Sequence, residues 1–125
     1  MIDYIHSTGI VVSDQDRALA FYVDTLGWEK RIDAMASETM RFLTVAPKGA
    51  RTELALMPYN EVGSNGRNAD EFQMSLVASD LDATYEELKA KGVTFKGAPE
   101  EMPWGGRATW FNDLDGNEFF LSDGN

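Results

Sequence analysis

Aromatic side chains toward the C-terminal end are the residues best suited by type to hold a ligand. Trp104 lies in the run MPWGGR from Met102 to Arg107, and a tryptophan on a glycine-flanked loop offers a large, rigid π-face. The same face can hold a cation. The alternative for Trp104 is packing at the rim of a groove or in a dimer interface. Trp110 and Phe111 are consecutive, so only one of them can face a groove from a strand, and Phe42 is a further candidate of the same kind.

The residue types that carry covalent catalysis are scarce in this chain. There is no cysteine, which excludes thiolate chemistry and a disulfide framework and fits a reducing compartment without establishing one. His6 is the only histidine, and no nucleophile-elbow motif accompanies it. The segment Gly63 to Gly66 lacks the Lys and the helix that follow in a phosphate-binding loop. The sequence therefore gives little support to nucleophilic catalysis or to nucleotide binding.

The charge balance narrows the choice of partners. The formal net charge is −10 at pH 7, and a surface this acidic repels nucleic-acid phosphates and anionic membranes while it attracts cationic small molecules. Acidity that only keeps the protein soluble is the alternative. No apolar run approaches the ~20 residues that cross a bilayer, and the N-terminal residues lack the pattern of a signal peptide. We expect a cytoplasmic protein with neither a nucleic acid nor a membrane as partner.

One phrase occurs twice in the chain, with Ser13 and Ser79 standing 66 positions apart. The first copy, Val11 to Asp16, reads VVSDQD, and the second, Val77 to Asp82, reads VASDLD. Each copy follows an apolar run and leads into a helical pattern that ends at a glycine. Because a unit that cannot bury its own apolar face needs a neighbour, a repeat of this length indicates a duplicated supersecondary unit.

Each copy predicts the element order β-α-β-β-β. Ser13 and Ser79 are predicted to cap helices that end at Gly27 and Gly92, with strands at 4–12, 28–33, 40–46, 52–57, 72–78, 93–96, 107–112 and 118–122. One helix for four strands cannot cover both faces of a sheet. We therefore expect an α+β fold: a curved mixed sheet with helices on its outer face and a concave ligand groove. The single domain of residues 1–125 would comprise module 1 at about 1–57, a linker at 58–70 and module 2 at about 71–125.

Two motifs in the chain resemble those of the vicinal oxygen chelate superfamily. The stretch from Val11 to Gly27 resembles its opening motif, and DLDGN, at Asp113 to Asn117, resembles its closing turn with Leu114 in place of the usual proline. The superfamily includes glyoxalases, ring-cleaving dioxygenases, epimerases, thiol-transferring fosfomycin enzymes and drug-sequestering bleomycin-resistance proteins, so the resemblance implies the fold more than the function. The loop around Trp104 resembles the bleomycin-resistance branch, in which aromatic residues near the groove stack on a flat drug.

The resemblance also implies where a metal would lie. Superfamily enzymes hold one divalent metal with His, Glu or Gln from the first and last strands of each half, and matching the motifs gives Ser7, Glu53, Gln73 and Phe120. Serine is a poor ligand and phenylalanine cannot bind a metal, whereas proteins generally hold divalent ions with three or more good donors. We therefore expect no metal and no other cofactor. Ser7, Glu53 and Gln73 would instead orient polar groups of a ligand.

His6 offers an alternative, because it is one residue from the Ser7 position. If Ser7 points into the groove, the alternation of a strand directs His6 to the helix-covered face. A shift of one residue would instead give the metal ligands His6, Glu53 and Gln73. Glu53 could also act as a metal-free general base if it were buried in the groove.

Three functional hypotheses follow from these expectations. The first is a metal-independent binding protein that gives antibiotic resistance or self-protection by sequestering an aromatic drug, bleomycin-like or another natural product such as an enediyne. The second is a metal-dependent glyoxalase-type lyase or isomerase, or a dioxygenase, with a non-standard ligand set, and the third is a metal-free enzyme. The resemblance further implies a homodimer, with or without exchange of halves between chains. Under the first hypothesis no residue is catalytic, and the ligand-binding residues are Ser7, Glu53, Gln73, Trp104, Trp110, Phe120 and Phe42.

Overall fold

The structure of the chain is a computed structural model that describes residues 1–58 and 72–125, with side chains from Met74 onward in the second stretch. The chain divides into two compact units, Met1–Arg67 and Asn68–Asn125. Each unit has its own mixed sheet and one helical segment among the described residues. The predicted α+β fold with two βαβββ modules is therefore confirmed. Apart from Pro58, the predicted linker at 58–70 lies outside the described residues.

The sheet of the first unit has the strand order β1-β4-β3-β2. Its central feature is the parallel pairing of the first and last strands of the unit, and the remaining neighbours are antiparallel. Helix α1 (Gln15–Ala20) continues directly into a π-helical turn, Phe21–Thr25, that ends before Gly27. The four strands are β1 (Ser7–Val12), β2 (Glu29–Met35), β3 (Arg41–Ala46) and β4 (Glu53–Pro58).

The sheet of the second unit repeats this arrangement. Its order is β5-β9-β8-β6, with β5 parallel to β9. The short strand β7 pairs with the first two residues of β8. Helix α2 (Leu81–Ala90) lies between β5 and β6 in the chain, as α1 lies between β1 and β2. The five strands are β5 (Phe72–Val77), β6 (Thr94–Phe95), β7 (Glu100–Glu101), β8 (Arg107–Asn112) and β9 (Glu118–Ser122).

Strand alternation assigns one face of each sheet to the helix. In the first unit Ile10, Leu43 and Leu56 are at most 2% exposed and have the strand parity that faces α1. In the second unit Phe111 and Phe119 stack with ring centroids 5.3 Å apart on the side of α2. Opposite these cores, each sheet has a second face that its own helix does not cover, which we call the helix-free face.

The caps of both helices differ from the prediction by one residue. The N-cap of α1 is Asp14 rather than Ser13, and its Oδ1 accepts a hydrogen bond from the N–H of Arg17 at 3.0 Å. The N-cap of α2 is Asp80 rather than Ser79, with Ala83 as the donor at 3.1 Å. Aspartate caps as well as serine does and adds a negative charge that the N-terminal end of the helix dipole stabilises.

The repeat extends to a pair of ion pairs that sequence inspection did not identify. Arg41 Nη1 contacts Asp16 Oδ1 at 2.8 Å in the first unit, and Arg107 Nη1 contacts Asp82 Oδ2 at 2.7 Å in the second. Both partners of one pair stand 66 positions from their counterparts in the other, the spacing of the repeated phrase. The two modules therefore attach the first turn of the helix to the sheet by the same interaction.

Candidate functional site

Among the side chains that the structure describes, three aromatic ones lie at the helix-free face of the second unit. Trp110 on β8 pairs with Phe120 on β9, so the two rings project from the same face. The neighbouring pair, Phe111 and Phe119, projects to the other face and is buried. This answers the question that the adjacent aromatic residues leave open: Trp110, and not Phe111, shares a face with Phe120.

Trp104 completes this group from a loop. Its ring centroid lies 6.2 Å from that of Phe120, and Trp110 contacts Phe120 edge-on at 5.0 Å. Trp104 is 61% exposed and precedes Gly105, whose φ of 101° favours glycine. We call Trp104, Trp110 and Phe120 the aromatic cluster. The exposed ring of Trp104 is available to stack on a flat ligand.

The closing turn fixes the register on which the aromatic cluster depends. The carboxylate of Asp113 accepts hydrogen bonds from the backbone N–H groups of Asp115 and Asn117, each at 2.9 Å, and from Asn117 Nδ2 at 2.8 Å. Gly116 N–H donates to the carbonyl oxygen of Asp113 at 3.2 Å and closes the turn at a φ of 83°. This turn joins β8 to β9 and so places Trp110 opposite Phe120.

The register of the second unit corrects one equivalence from the sequence. Ser7 pairs with Glu53 in the first unit, but in the second unit Phe120 pairs with Ser75 rather than with Gln73. The pairing shifts between Phe72 and Met74, as at a β-bulge, where one strand has an extra residue. Counting along the strands then gives Glu118, not Phe120, as the counterpart of Glu53. The side chain of Gln73 lies outside the described residues.

Glu118 is the functional candidate that sequence reasoning missed. It lies on the helix-free face, because it is two residues from Phe120 on β9, and it is only 7% exposed. Lys96 Nζ contacts its Oε2 at 2.6 Å. The first unit has a counterpart, in which Arg31 Nη1 lies 3.7 Å from Glu53 Oε2. Both cations and both carboxylates are 65 positions apart, a spacing that could have revealed the pair.

Ser7, Glu53 and Phe42 lie on the helix-free face of the first unit. Ser7 is paired with Glu53, and Thr44 with Ala55 two residues further along β4. Phe42 is two residues from Thr44 on β3 and thus shares that face. The predicted site residues of this unit are therefore brought to one surface, with Phe42 and Ser7 both partly exposed.

Glu53 is the most enclosed charge on this face, with its side chain 12% exposed. The hydroxyl of Thr44 donates to Oε1 at 2.8 Å and itself accepts the N–H of Ile32 at 3.0 Å. Arg31, which also donates to the carbonyl oxygens of Pro47 and Ala50, lies beside Oε2. These contacts fix the orientation of the Glu53 side chain, because a buried polar group requires hydrogen-bonding or charged partners.

The predicted orientation of His6 was wrong. His6 Nε2 lies 4.0 Å from Glu53 Oε1, and its side chain is 53% exposed. The alternation rule fails because β1 begins at Ser7, so His6 precedes the strand; its carbonyl oxygen accepts the N–H of Glu53 at 2.8 Å. His6 is therefore beside Glu53 and not on the helix-covered face.

These donors do not fit a divalent metal of the kind that the superfamily enzymes hold. Arg31 lies beside Oε2 of Glu53 and the Thr44 hydroxyl donates to Oε1, which places donors where a metal would need free lone pairs. Phe120 is hydrocarbon. Among residues 1–58 and 72–125, no group of three or more His, Asp or Glu side chains is suitably placed to hold a metal ion.

Comparison with known proteins agrees with the fold. The chain belongs to the glyoxalase/bleomycin resistance protein/dioxygenase superfamily, whose family model matches residues 4–121. It is 34% identical over 125 residues to the uncharacterized protein YetH of Bacillus subtilis (strain 168), covering 98% of this chain and 100% of YetH. Among the described residues, neither helix is long and apolar enough to span a membrane.

Two solved structures are especially similar. A member of the same superfamily from Sphaerobacter thermophilus DSM 20745 is 50% identical, with a TM-score of 0.91 and 97% of each chain covered. TnmS3, an antibiotic binding protein from Streptomyces sp. CB03234, is 35% identical with a TM-score of 0.83, and the match covers 97% of this chain and 95% of TnmS3.

Proposed function

We propose that this protein binds an aromatic antibiotic on its helix-free faces and protects a cell by sequestration. The ligand class is a bleomycin-like glycopeptide or another aromatic natural product such as an enediyne. Trp104, Trp110 and Phe120 would stack on the ligand. Ser7, Glu53, Gln73 and Phe42 remain predicted ligand-binding residues. Under this proposal the protein needs no cofactor and no catalytic residue, because a tight complex lowers the free drug concentration by mass action.

The observation that carries the proposal is the aromatic cluster. Trp104 is 61% exposed and its ring is tilted against that of Phe120. It therefore leaves apolar surface in water that a flat ligand would cover. The similarity to TnmS3, described as an antibiotic binding protein, supports the same function. The ordered Glu53–Arg31–Thr44 group supports binding over acid–base chemistry, because Arg31 and Thr44 already contact both carboxylate oxygens.

Tryptophan emission during titration with bleomycin and with an enediyne tests this proposal. Two of the three tryptophans belong to the aromatic cluster, whereas the third, Trp28, packs against Tyr22 at 5.3 Å. We expect Trp104→Ala to raise the Kd by about tenfold, since stacking and covered area together contribute roughly 1.5 kcal/mol. Phe120→Leu keeps apolar bulk and removes the ring, so it should have a smaller effect in the same direction.

Trp28→Phe is the matched control, because it removes an indole outside the aromatic cluster. It should leave the Kd unchanged. Equal affinities for wild type and both cluster variants would reject the proposed site, and no binding of either antibiotic by the wild-type protein would reject the proposed function.

One observation favours an enzyme as a second candidate. His6 and Glu53 are within 4.0 Å of each other, and with Gln73 they form the alternative ligand set for a lyase or a dioxygenase. A metal at this set would have to displace Arg31 and the Thr44 hydroxyl from the Glu53 carboxylate. Elemental mass spectrometry after dialysis against Ni, Zn, Fe and Mn tests this candidate. One metal per chain or per dimer, lost in His6→Ala, would support it, whereas no retained metal would reject it.

The proposal includes a homodimer in the cytoplasm. Dimers are common in this superfamily, and a second copy could complete a binding groove with either swapped or unswapped halves. Light scattering on the full chain should give twice the mass of one chain, 13.9 kDa. A mass equal to a single chain would contradict the dimer.

A further inference from the structure

The outer edge of the second sheet contains a pocket beside the aromatic cluster. β8 pairs with β6 at one end and with β7 at the other, and the chain between them leaves the edge of β8. Three hydrogen bonds hold this connecting loop: Lys96 N–H to the carbonyl oxygen of Trp110 at 3.0 Å, the Thr109 hydroxyl to that of Gly97 at 2.6 Å, and Arg107 Nη2 to that of Pro99 at 3.3 Å. The pocket is open to solvent on one side and has a volume of about 560 Å³, and its lining includes Glu100, Ala108 and Trp110.

Glu100 projects from the same face as the aromatic cluster. It pairs with Ala108 across the antiparallel β7–β8 ladder, and directly opposed residues share a face. Ala108 and Trp110 are two positions apart on β8, so Glu100, Trp110 and Phe120 belong to one surface. Glu101, the next residue, pairs with Arg107 and projects to the opposite face.

The pocket has one carboxylate that no basic side chain neutralises in the described part of the chain. Lys96, its only basic lining residue, contacts Glu118 at 2.6 Å. No Lys, Arg or His nitrogen among the described residues lies within the 4.0 Å ion-pair distance of Glu100, which is exposed. A carboxylate and an indole that line the same pocket can together attract an organic cation, through charge and through the π-face.

We propose that Glu100 and the pocket beside Trp110 form a subsite for a positively charged group of the bound ligand. The ligand class is then a cationic aromatic compound, with its ring on the aromatic cluster and its charge at Glu100. This inference rests on the proposed function and adds a charge requirement to it. The net charge of −10 would favour the approach of the same ligands.

A pair of probes with one ring system tests the charge requirement. Acridine, which is neutral at mildly alkaline pH, and 10-methylacridinium, which carries a fixed charge, differ by one methyl group and one charge. We expect wild-type protein to bind 10-methylacridinium more tightly than acridine. Glu100→Gln should weaken 10-methylacridinium binding by about threefold, the effect of a partly exposed ion pair, and leave acridine binding unchanged. Added salt should reduce the difference between the probes more in the wild-type protein than in Glu100→Gln.

Glu101→Gln is the matched control, since it removes the same charge one residue away on the opposite face. Equal losses in both variants would assign the preference to overall charge and overturn the subsite. Binding of both probes with equal affinity, and with no effect of Glu100→Gln, would overturn the subsite while the aromatic binding function stands. Failure of both probes to bind wild-type protein would reject the cluster as a binding surface and the subsite with it. Circular dichroism of each variant establishes that it is folded.

Discussion

The closing turn at Asp113 gives the sharpest prediction about how the site is built. The side chain of Asp113 is buried and accepts three hydrogen bonds, two of them from backbone N–H groups. Asp113→Ala leaves those N–H groups without the carboxylate, and each lost bond costs about 1 kcal/mol or more because buried donors lose their partner. We therefore expect the free energy of unfolding to fall by about 3 kcal/mol.

Asp113→Asn separates the contributions within this turn. Its amide oxygen can still accept from the backbone of Asp115 and Asn117, but its NH₂ group would face the Asn117 amide nitrogen, which is itself a donor. The loss should be about 1 kcal/mol, between wild type and Asp113→Ala. Leu114→Pro should act in the opposite direction and stabilise by about 0.4–1 kcal/mol, because proline suits the second position of a tight turn and restricts the unfolded chain.

Urea unfolding followed by tryptophan emission measures these differences, with equal m-values as the requirement for comparing midpoints. Equal stabilities of Asp113→Ala and Asp113→Asn, or stabilities of both equal to wild type, would contradict the stabilising role of the Asp113 carboxylate. Either result would mean that the carboxylate of Asp113 does not hold the turn that aligns Trp110 with Phe120.

Two further predictions concern the helices and the acid stability of the first unit. Asp14→Ala and Asp80→Ala should each lower the free energy of unfolding by about 1 kcal/mol, whereas Ser79→Ala should lower it much less; equal effects of Asp80→Ala and Ser79→Ala in urea titrations would contradict the observed caps. Hydrogen bonding from Arg41 lowers the pKa of Asp33 from 3.8 to about 2, so its contribution is complete above the unfolded-state value and is lost as the pH falls from about 4 to 2. Asp33→Asn should flatten the acid side of a stability–pH curve, and an unchanged curve would show that this pair contributes nothing.

The elements most visible in the sequence are those with strong local signals. β8 and β9 have the predicted bounds, 107–112 and 118–122, and Gly27 and Gly92 both have the positive φ expected after a helix. β1 starts at Ser7 instead of Tyr4, since no regular pairing extends the strand further toward the N-terminus. The two-residue strand β7 was not predicted, because so short a segment shows no periodicity.

The residues of the site could be located only in part. Matching the motifs gave Ser7, Glu53, Gln73 and Phe120, but a count along the chain cannot reveal a shift in pairing. By strand register, Glu118 and not Phe120 is the counterpart of Glu53. His6 was assigned to the wrong side because alternation applies only within a strand. In both cases hydrogen-bond register, which depends on the partner strand, decided the outcome and the local sequence did not.

The most direct test of the central claim is to recover the ligand after binding. Wild-type protein would be titrated to saturation with bleomycin or with an enediyne while tryptophan emission is monitored. The protein would then be denatured, and the mass of the released antibiotic measured by mass spectrometry. We predict saturable quenching at a fixed stoichiometry for at least one of the two antibiotics, and a released antibiotic of unchanged mass. A released antibiotic of altered mass, or the absence of quenching by both, would contradict sequestration on the aromatic cluster.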